Sequence, residues 1–430
     1  MTRSQIDLDQ INTLDGELIA AAREIKVLSR LAWPADVQVR FLDAHRRNAA
    51  VLTDVSYPPL ELGDELRALE RVERRAAAMI HPAAIYIADT ARSYLQGARL
   101  IEHVGTPEFT TISIEIYGRP GDLLPGGKAD NLDAAHHFVR SSKQYFDAHA
   151  ARDSDYVLPA EIARDEIIAR IRQVITDDAI AVVVDPKLTA KAAAGATRIR
   201  LRAKTAFSEF DIDQLVQHEA FVHSLTALNG RKQPWLKSLS LGAPRTTAAQ
   251  EGLATFAELV TGAIDIARME RIAQRIIAVD LALKGADFID VFRFFLESGQ
   301  PETESFTSTM RVFRGAPLRG GGAFTKDAVY LDGMLEVHTF FRWALRHERL
   351  KLCQHFFAGR MTLHDIQTLE PLFDDQVLAA PRYLPPWMTR TNGLTAYLAF
   401  EVFANRIPID ELGEDEYARR GQPGSDSSPD

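Results

Sequence analysis

Within QLVQHEAFVHSLTALNG, residues 214–230, two imidazoles and a carboxylate crowd into an otherwise apolar stretch: His218, Glu219 and His223. Imidazole nitrogens bind divalent metals, and a neighbouring carboxylate can take a proton from an attacking water, so these residue types suit metal-assisted hydrolysis. The familiar helical arrangement is H-E-x-x-H, whose histidines are four apart and about 40° from each other around a helix at roughly 100° per residue. Here the gap is five. A regular α-helix would turn the second ring about 140° from the first, too far to share one ion. A π-bulge, with i to i+5 hydrogen bonds and about 4.4 residues per turn, returns residues five apart to one face. The spacing therefore predicts either a bulged ligand helix or two histidines satisfied separately in the core or at the surface. Twelve histidines in the chain make a chance H-E-x-x-x-H arise in roughly one sequence in fifty.

A second segment supplies what a three-ligand site lacks. PRTTAAQEGLATFAELVTG, residues 244–262, sets Glu251 among Ala248, Ala249, Gly252, Leu253 and Ala254, where a carboxylate is costly to bury without a metal or a cation. Catalytic zinc sites of the His, His, Glu kind take their third ligand from such a downstream helix. His218, His223 and Glu251 are thus candidate ligands for one Zn2+ per chain, with Glu219 as candidate general base. Gly252 costs about 1 kcal/mol against alanine inside a helix and predicts a close backbone neighbour. Glu258, nearly on the face of Glu251, is placed to accept from a ligand histidine, or equally to sit in a solvated salt bridge.

The elements that must hold these groups are mostly helical. Leu14, Leu18, Ala21 and Ile25, then Leu66, Leu69 and Val72, then Ile87, Ala91, Leu95 and Ala98 keep helical periodicity between Pro- and Gly-rich breaks. The longest break, YGRPGDLLPGGK, reads as a lip or inter-lobe loop. DDAIAVVVDP, residues 177–186, has the β-branched density of a buried strand, and TRIRLRAK, residues 197–204, alternates like a half-exposed one. Helices resume over 249–300 and 327–357. Strand, strand, then a helix bearing His and Glu is the element order of zinc peptidases, in which an edge strand borders the cleft. The expected class is α+β, mainly helical, with a zincin-like core and a small sheet before the histidine helix. The expected organisation is a helical region over 1–170, a core over 171–415 and a disordered tail over 416–430.

Composition narrows the function classes. The 430 residues are 46% hydrophobic and 25% charged, ordinary for a soluble globular chain with a sizeable core. A net charge of -9 argues against nucleic acid or an anionic membrane as main partner, and no apolar run is long enough to span a bilayer. The N-terminal stretch lacks the apolar core of a signal peptide, which makes cytoplasmic the expected location. One cysteine, Cys353, excludes an intrachain disulfide and leaves nitrogen and oxygen as metal ligands.

QHEAFVH, TALNG and QEGLA, followed by RVFRG at 311–315 and GGAFTKDAVYLDG at 321–333, resemble the flavohaemoglobin expression-modulating QEGLA motif family. Its eukaryotic relatives are the microtubule-associated tyrosine carboxypeptidases, and the likeness runs from about residue 155 to 350. In those relatives an H-E-x-x-x-H helix and a downstream glutamate bind zinc, and a C-terminal tyrosine is removed from tubulin. The resemblance implies that His218, His223 and Glu251 are ligands and Glu219 the base. It carries over the reaction class, with a peptide or protein C-terminal tail as substrate, and leaves the parent protein of that tail open.

An enzyme that cleaves only at chain ends must grip the terminal carboxylate, a task suited to the bidentate fork of arginine. RVFRGAPLRGGGAFTKDAVY offers Arg311, Arg314, Arg319 and Lys326, of which Arg314 and Lys326 are the first choice; solvated residues on a turn are the alternative. Tyr330, one helical turn beyond Lys326, is a candidate oxyanion donor or a core aromatic, with His338 behind it. Phe313, Phe324 and Trp235 read as pocket or core. Against a zinc carboxypeptidase stands a non-catalytic regulatory or binding protein with a structural zinc, in which Glu219 would have little purpose.

Overall fold

A computed structural model describes residues 3–49, 55–57, 62–148, 157–177, 180–186, 188, 191–195 and 197–407; the tail expected over 416–430 lies outside them. Among the described residues the fold is mainly helical with two small sheets. Leu14 and Leu18 line the buried side of helix Arg3–Ala22. Leu69 and Val72 do so on Gly63–Ala77, and Ile87, Ala91 and Ala98 on Pro82–Glu102. These helices share one apolar cluster with Val216, Ala220 and Val222 of the segment that carries the histidines. The cluster is pinned by a buried carboxylate, since Asp15 accepts the backbone N–H groups of Lys237 and Ser238 at 2.9 and 3.1 Å.

The expected strands appear as β2 (Ala181–Asp185) and β4 (Arg198–Arg202). In β4, Ile199 and Leu201 are buried while the three arginines between and beside them face out, the period-2 pattern of a half-exposed strand. Between them the sequence reading places no strand, yet residues 192–195 form β3 (Ala192–Gly195), which pairs antiparallel with β4 at the edge of a β2-β4-β3 sheet. Its AAAG sequence lacks the β-branched side chains that mark a strand, so pairing to β4 rather than propensity makes it one. A second sheet joins β1 (Val157–Pro159) to β5 (Ala206–Ser208).

Directly after β5, Ser208 and Asp211 form a reciprocal capping box that starts the histidine helix. It runs as α-helix over Glu209–Gln214, as π-helix over Leu215–Ser224, and as α-helix again over Leu225–Arg231. The helix bearing Glu251, Thr247–Thr261, packs on Val329–Arg346 so closely that their backbones touch: a Cβ on Gly252 would stand 2.2 Å from the Gly333 carbonyl oxygen. This contact is the close approach that a glycine inside the helix predicts. The YGRPGDLLPGGK loop folds onto itself through a Leu123–Asp130 bridge and Asn131, which accepts from Gly121 N–H and donates to the Arg119 carbonyl. Among the described residues no helix is long and apolar enough to cross a membrane.

Two stability measurements follow from this packing. Gly252→Ala forces a methyl group into backbone and is expected to cost about 3 kcal/mol, read as a lowered midpoint in urea unfolding. On the same partner helix, burial, then the charges of Glu336 and Asp122, raise the Asp332 carboxyl from 3.8 to about 7. Between those values the folded chain holds a proton that the unfolded chain has lost, so this group makes stability fall as pH rises through the window. Asp332→Asn removes the titration. Its melting temperature is expected to change less than the wild type's between pH 4 and 7, and its stability to be higher by about 1 kcal/mol at pH 8, the value being kept small because the group is partly exposed.

Candidate metal centre

The π-helical turn does what the five-residue gap requires. Leu225 N–H donates to the Ala220 carbonyl, an i to i−5 bond, and the wider turn brings His218 and His223 onto one face with ring centroids 4.8 Å apart and planes at 81°. Where a single bulge would suffice, the whole Leu215–Ser224 segment takes the π form.

Glu251 reaches this pair from the neighbouring helix. Its Oε2 lies 3.4 Å from His218 Nε2 and 3.5 Å from His223 Nε2, and one ligand atom from each of the three residues lies within 4.8 Å of the others. The other oxygen, Oε1, accepts from Lys326 Nζ at 2.9 Å. Burial pushes the Glu251 carboxyl up, but the Lys326 charge and the two histidines outweigh it and hold the group well below the usual carboxylate range.

On its far side, His218 Nδ1 meets Glu258 Oε1 at 2.6 Å, and Glu258, fully buried, takes two N–H bonds of 3.0 Å from Arg268. A carboxylate at Nδ1 places the ring proton there and turns the Nε2 lone pair toward Glu251 and His223. Burial disfavours charge on His218, yet hydrogen bonding to Glu251 and Glu258 raises its pKa well above the ordinary value. The anionic surroundings thus favour a cation at this point, whether proton or metal.

A cavity of about 310 Å³ opens beside these groups, walled by Glu219, His223, Glu251 and Lys326 and bordered by Ala194 and Gly195 of the edge strand β3. Two further lining residues, Gln250 and Arg360, were not singled out as site residues from the sequence. Gln250 precedes Glu251 in the QEGLA motif, where a second polar residue in an apolar helix was the only available signal. Arg360 comes from a short turn far along the chain, with no periodicity or motif around it.

Of the four basic residues read as carboxylate binders, Lys326 alone lines this cavity. Arg311 is committed to Asp327 through bonds of 2.6 and 2.7 Å, and the pairing holds the buried Asp327 well below the carboxylate range despite its burial. Arg314 lies 5.2 Å from the centre of the Phe324 ring, in the interior, where burial lowers its pKa. Arg319 is exposed on the turn. Tyr330 sits behind Lys326, whose Nζ is 5.1 Å from its ring centre, and its hydroxyl accepts from Arg311 at 3.3 Å; the cavity wall does not include it. His338 pairs with Glu401 at 2.8 Å. Phe313 and Phe324 are wholly buried core residues, and Trp235 is half-buried outside the cavity wall.

The profile of the microtubule-associated tyrosine carboxypeptidases matches residues 40–406, a wider span than the motif-bearing stretch, taking in the helices before residue 155. Mouse microtubule-associated tyrosine carboxypeptidase 1 is 25% identical over 217 residues, which cover 49% of this chain and 43% of the mouse protein. The aligned stretch is thus less than half the length of that relative. With a match across most of its length, this chain belongs to the microtubule-associated tyrosine carboxypeptidase family.

Proposed function

We propose that the chain is a zinc-dependent carboxypeptidase that releases a C-terminal residue, tyrosine as in the family's name, from a peptide or protein tail. The observation that carries this reading is the spacing of three donor atoms beside a cavity that also holds Glu219. A tetrahedral ion bound at about 2.0–2.1 Å sets its nitrogen and oxygen ligands about 3.4 Å apart. Glu251 Oε2 stands at 3.4 and 3.5 Å from the two imidazole nitrogens, long for hydrogen bonds and suited to ligands of one small cation. The donor set fits zinc in kind as well: two imidazoles, one carboxylate, and a buried carboxylate behind the first imidazole. His218, His223 and Glu251 would hold the ion, one per chain. We read the surrounding core as zincin-like, with edge strand β3 beside the cavity, then the histidine helix, then the glutamate helix.

When bound, zinc supplies a Lewis acid for the scissile carbonyl and lowers the pKa of the attacking water. The protein's own groups do the rest. Glu219, in the cavity wall next to His218, takes the proton of that water and delivers it to the leaving amine. Lys326 holds Glu251 Oε1, so that the carboxylate presents a single oxygen to the histidines. Glu258 and Arg268 fix the tautomer and orientation of His218. Substrate backbone can lie along β3, whose outer edge has no partner strand among the described residues.

The test is turnover on peptides with free C-termini by zinc-loaded wild type and Glu219→Gln. Single-residue release by the wild type is expected, with a loss of at least about 100-fold in the variant at unchanged zinc content. Undiminished activity in the variant removes Glu219 from the mechanism. A zinc-loaded wild type that cleaves none of the peptides, yet captures a tight protein partner, replaces this reading with the non-catalytic regulatory one.

A further inference from the structure

We infer that Arg360 anchors the subsite that binds the substrate's terminal carboxylate, the role for which the sequence suggested Arg314 and Lys326. The inference rests on the peptidase reading for its occupant, and on the cavity for everything else. Arg360 and Gln250 line the same cavity as Glu219 and Glu251, and Arg360 Nε, shielded from solvent, has no hydrogen-bond partner. Burying a guanidinium without an anionic partner is costly, and such a group is suited to an arriving anion. Among the described residues no carboxylate pairs with Arg360, and burial lowers its pKa. Lys326, the other cation in the cavity, is already bound to Glu251.

Both side chains are held in place by hydrogen bonds. Thr226 Oγ1 donates its single proton to the Val222 carbonyl at 2.7 Å and meets the Gln250 amide at 2.9 Å, which holds Gln250 in the cavity wall. Arg360 Nη2 donates to the His223 carbonyl at 3.0 Å, and its backbone N–H donates to the Leu239 carbonyl at 2.7 Å. Gly242 leaves room for the guanidinium, since a Cβ there would stand 2.8 Å from Arg360 Nη1. Arg360 donates to the main chain of His223, whose ring faces Glu251, so the guanidinium and the three donor atoms border one cavity. A terminal carboxylate bound at Arg360 brings the end of the substrate chain to the ligand group. The planar fork matches the two oxygens of a carboxylate and has no equivalent use for a C-terminal amide.

The experiment measures binding and needs no turnover. In a Glu219→Gln background, full-length protein as purified is titrated with a fluorescein-labelled hexapeptide ending in tyrosine, as free acid and as C-terminal amide, by fluorescence anisotropy. The parent is expected to bind the free acid at least about tenfold more tightly than the amide, a ratio that charge-assisted hydrogen bonds readily supply. Adding Arg360→Gln should reduce the ratio to about one, with amide binding unchanged. Arg360→Lys, which keeps the charge and loses the fork, should fall between; it replaces Arg360→Gln as the deciding variant should the latter fail to melt cooperatively. Equal binding of acid and amide by the parent, or full preference retained in the Arg360 variants, overturns the inference. A preference that depends on Arg360 in a chain whose zinc-loaded wild type cuts nothing would refute the peptidase reading and leave the carboxylate subsite standing.

Discussion

The site depends on where one buried carboxylate finds its positive partners. Glu251 is enclosed in a helix of small and apolar residues, and such a charge is tolerated only because His218, His223 and Lys326 converge on its two oxygens. That convergence is possible only if the histidines share a face, and five residues of α-helix would separate them. The π-helical run Leu215–Ser224 is therefore a requirement of the site's electrostatics rather than an irregularity. Its weaker local hydrogen bonding is offset by what surrounds it: α-helical turns at both ends, a capping box at Ser208, and an apolar cluster that reaches back to the first helix.

Outward from Glu251, the supports are geometric on one side and ionic on the other. The Gly252–Gly333 backbone contact, next in the chain to Glu251, fixes how closely the glutamate helix approaches its neighbour. Across the site, Glu258 and Arg268 form a buried pair that orients His218. Beneath Lys326 lies a second buried ionic group, Asp327 with Arg311 and, more distantly, Arg275. Buried pairs of this kind add little net stability, but removing one member strands the other, so they fix one arrangement of the wall behind the cavity.

The parts of this arrangement that are local in the chain were legible in the sequence. Helical periodicity gave the N-terminal helices, and the H-E-x-x-x-H spacing with a compensating bulge anticipated the histidine helix. A glycine next to Glu251 signalled a close neighbour, and Glu258 on the same face foreshadowed its bond to His218. What escaped was everything decided by a distant partner. β3 is a strand because β4 lies beside it, its alanines carrying no strand preference of their own. Arg311 read as a free cation because Asp327, which neutralises it, is recognisable only in three dimensions. Arg360 was passed over for the opposite reason: nothing near it in the chain reveals that it ends without a carboxylate partner in the same cavity as Glu251.

The central claim, that the π-helix turns a five-residue gap into a single ion site, is tested most directly by the metal content of the purified protein, wild type beside His223→Ala. About one zinc per chain in the wild type, lost in a variant that melts cooperatively, is the result the account predicts. A wild type without zinc after refolding in its presence, or a variant that keeps its full complement, would contradict it.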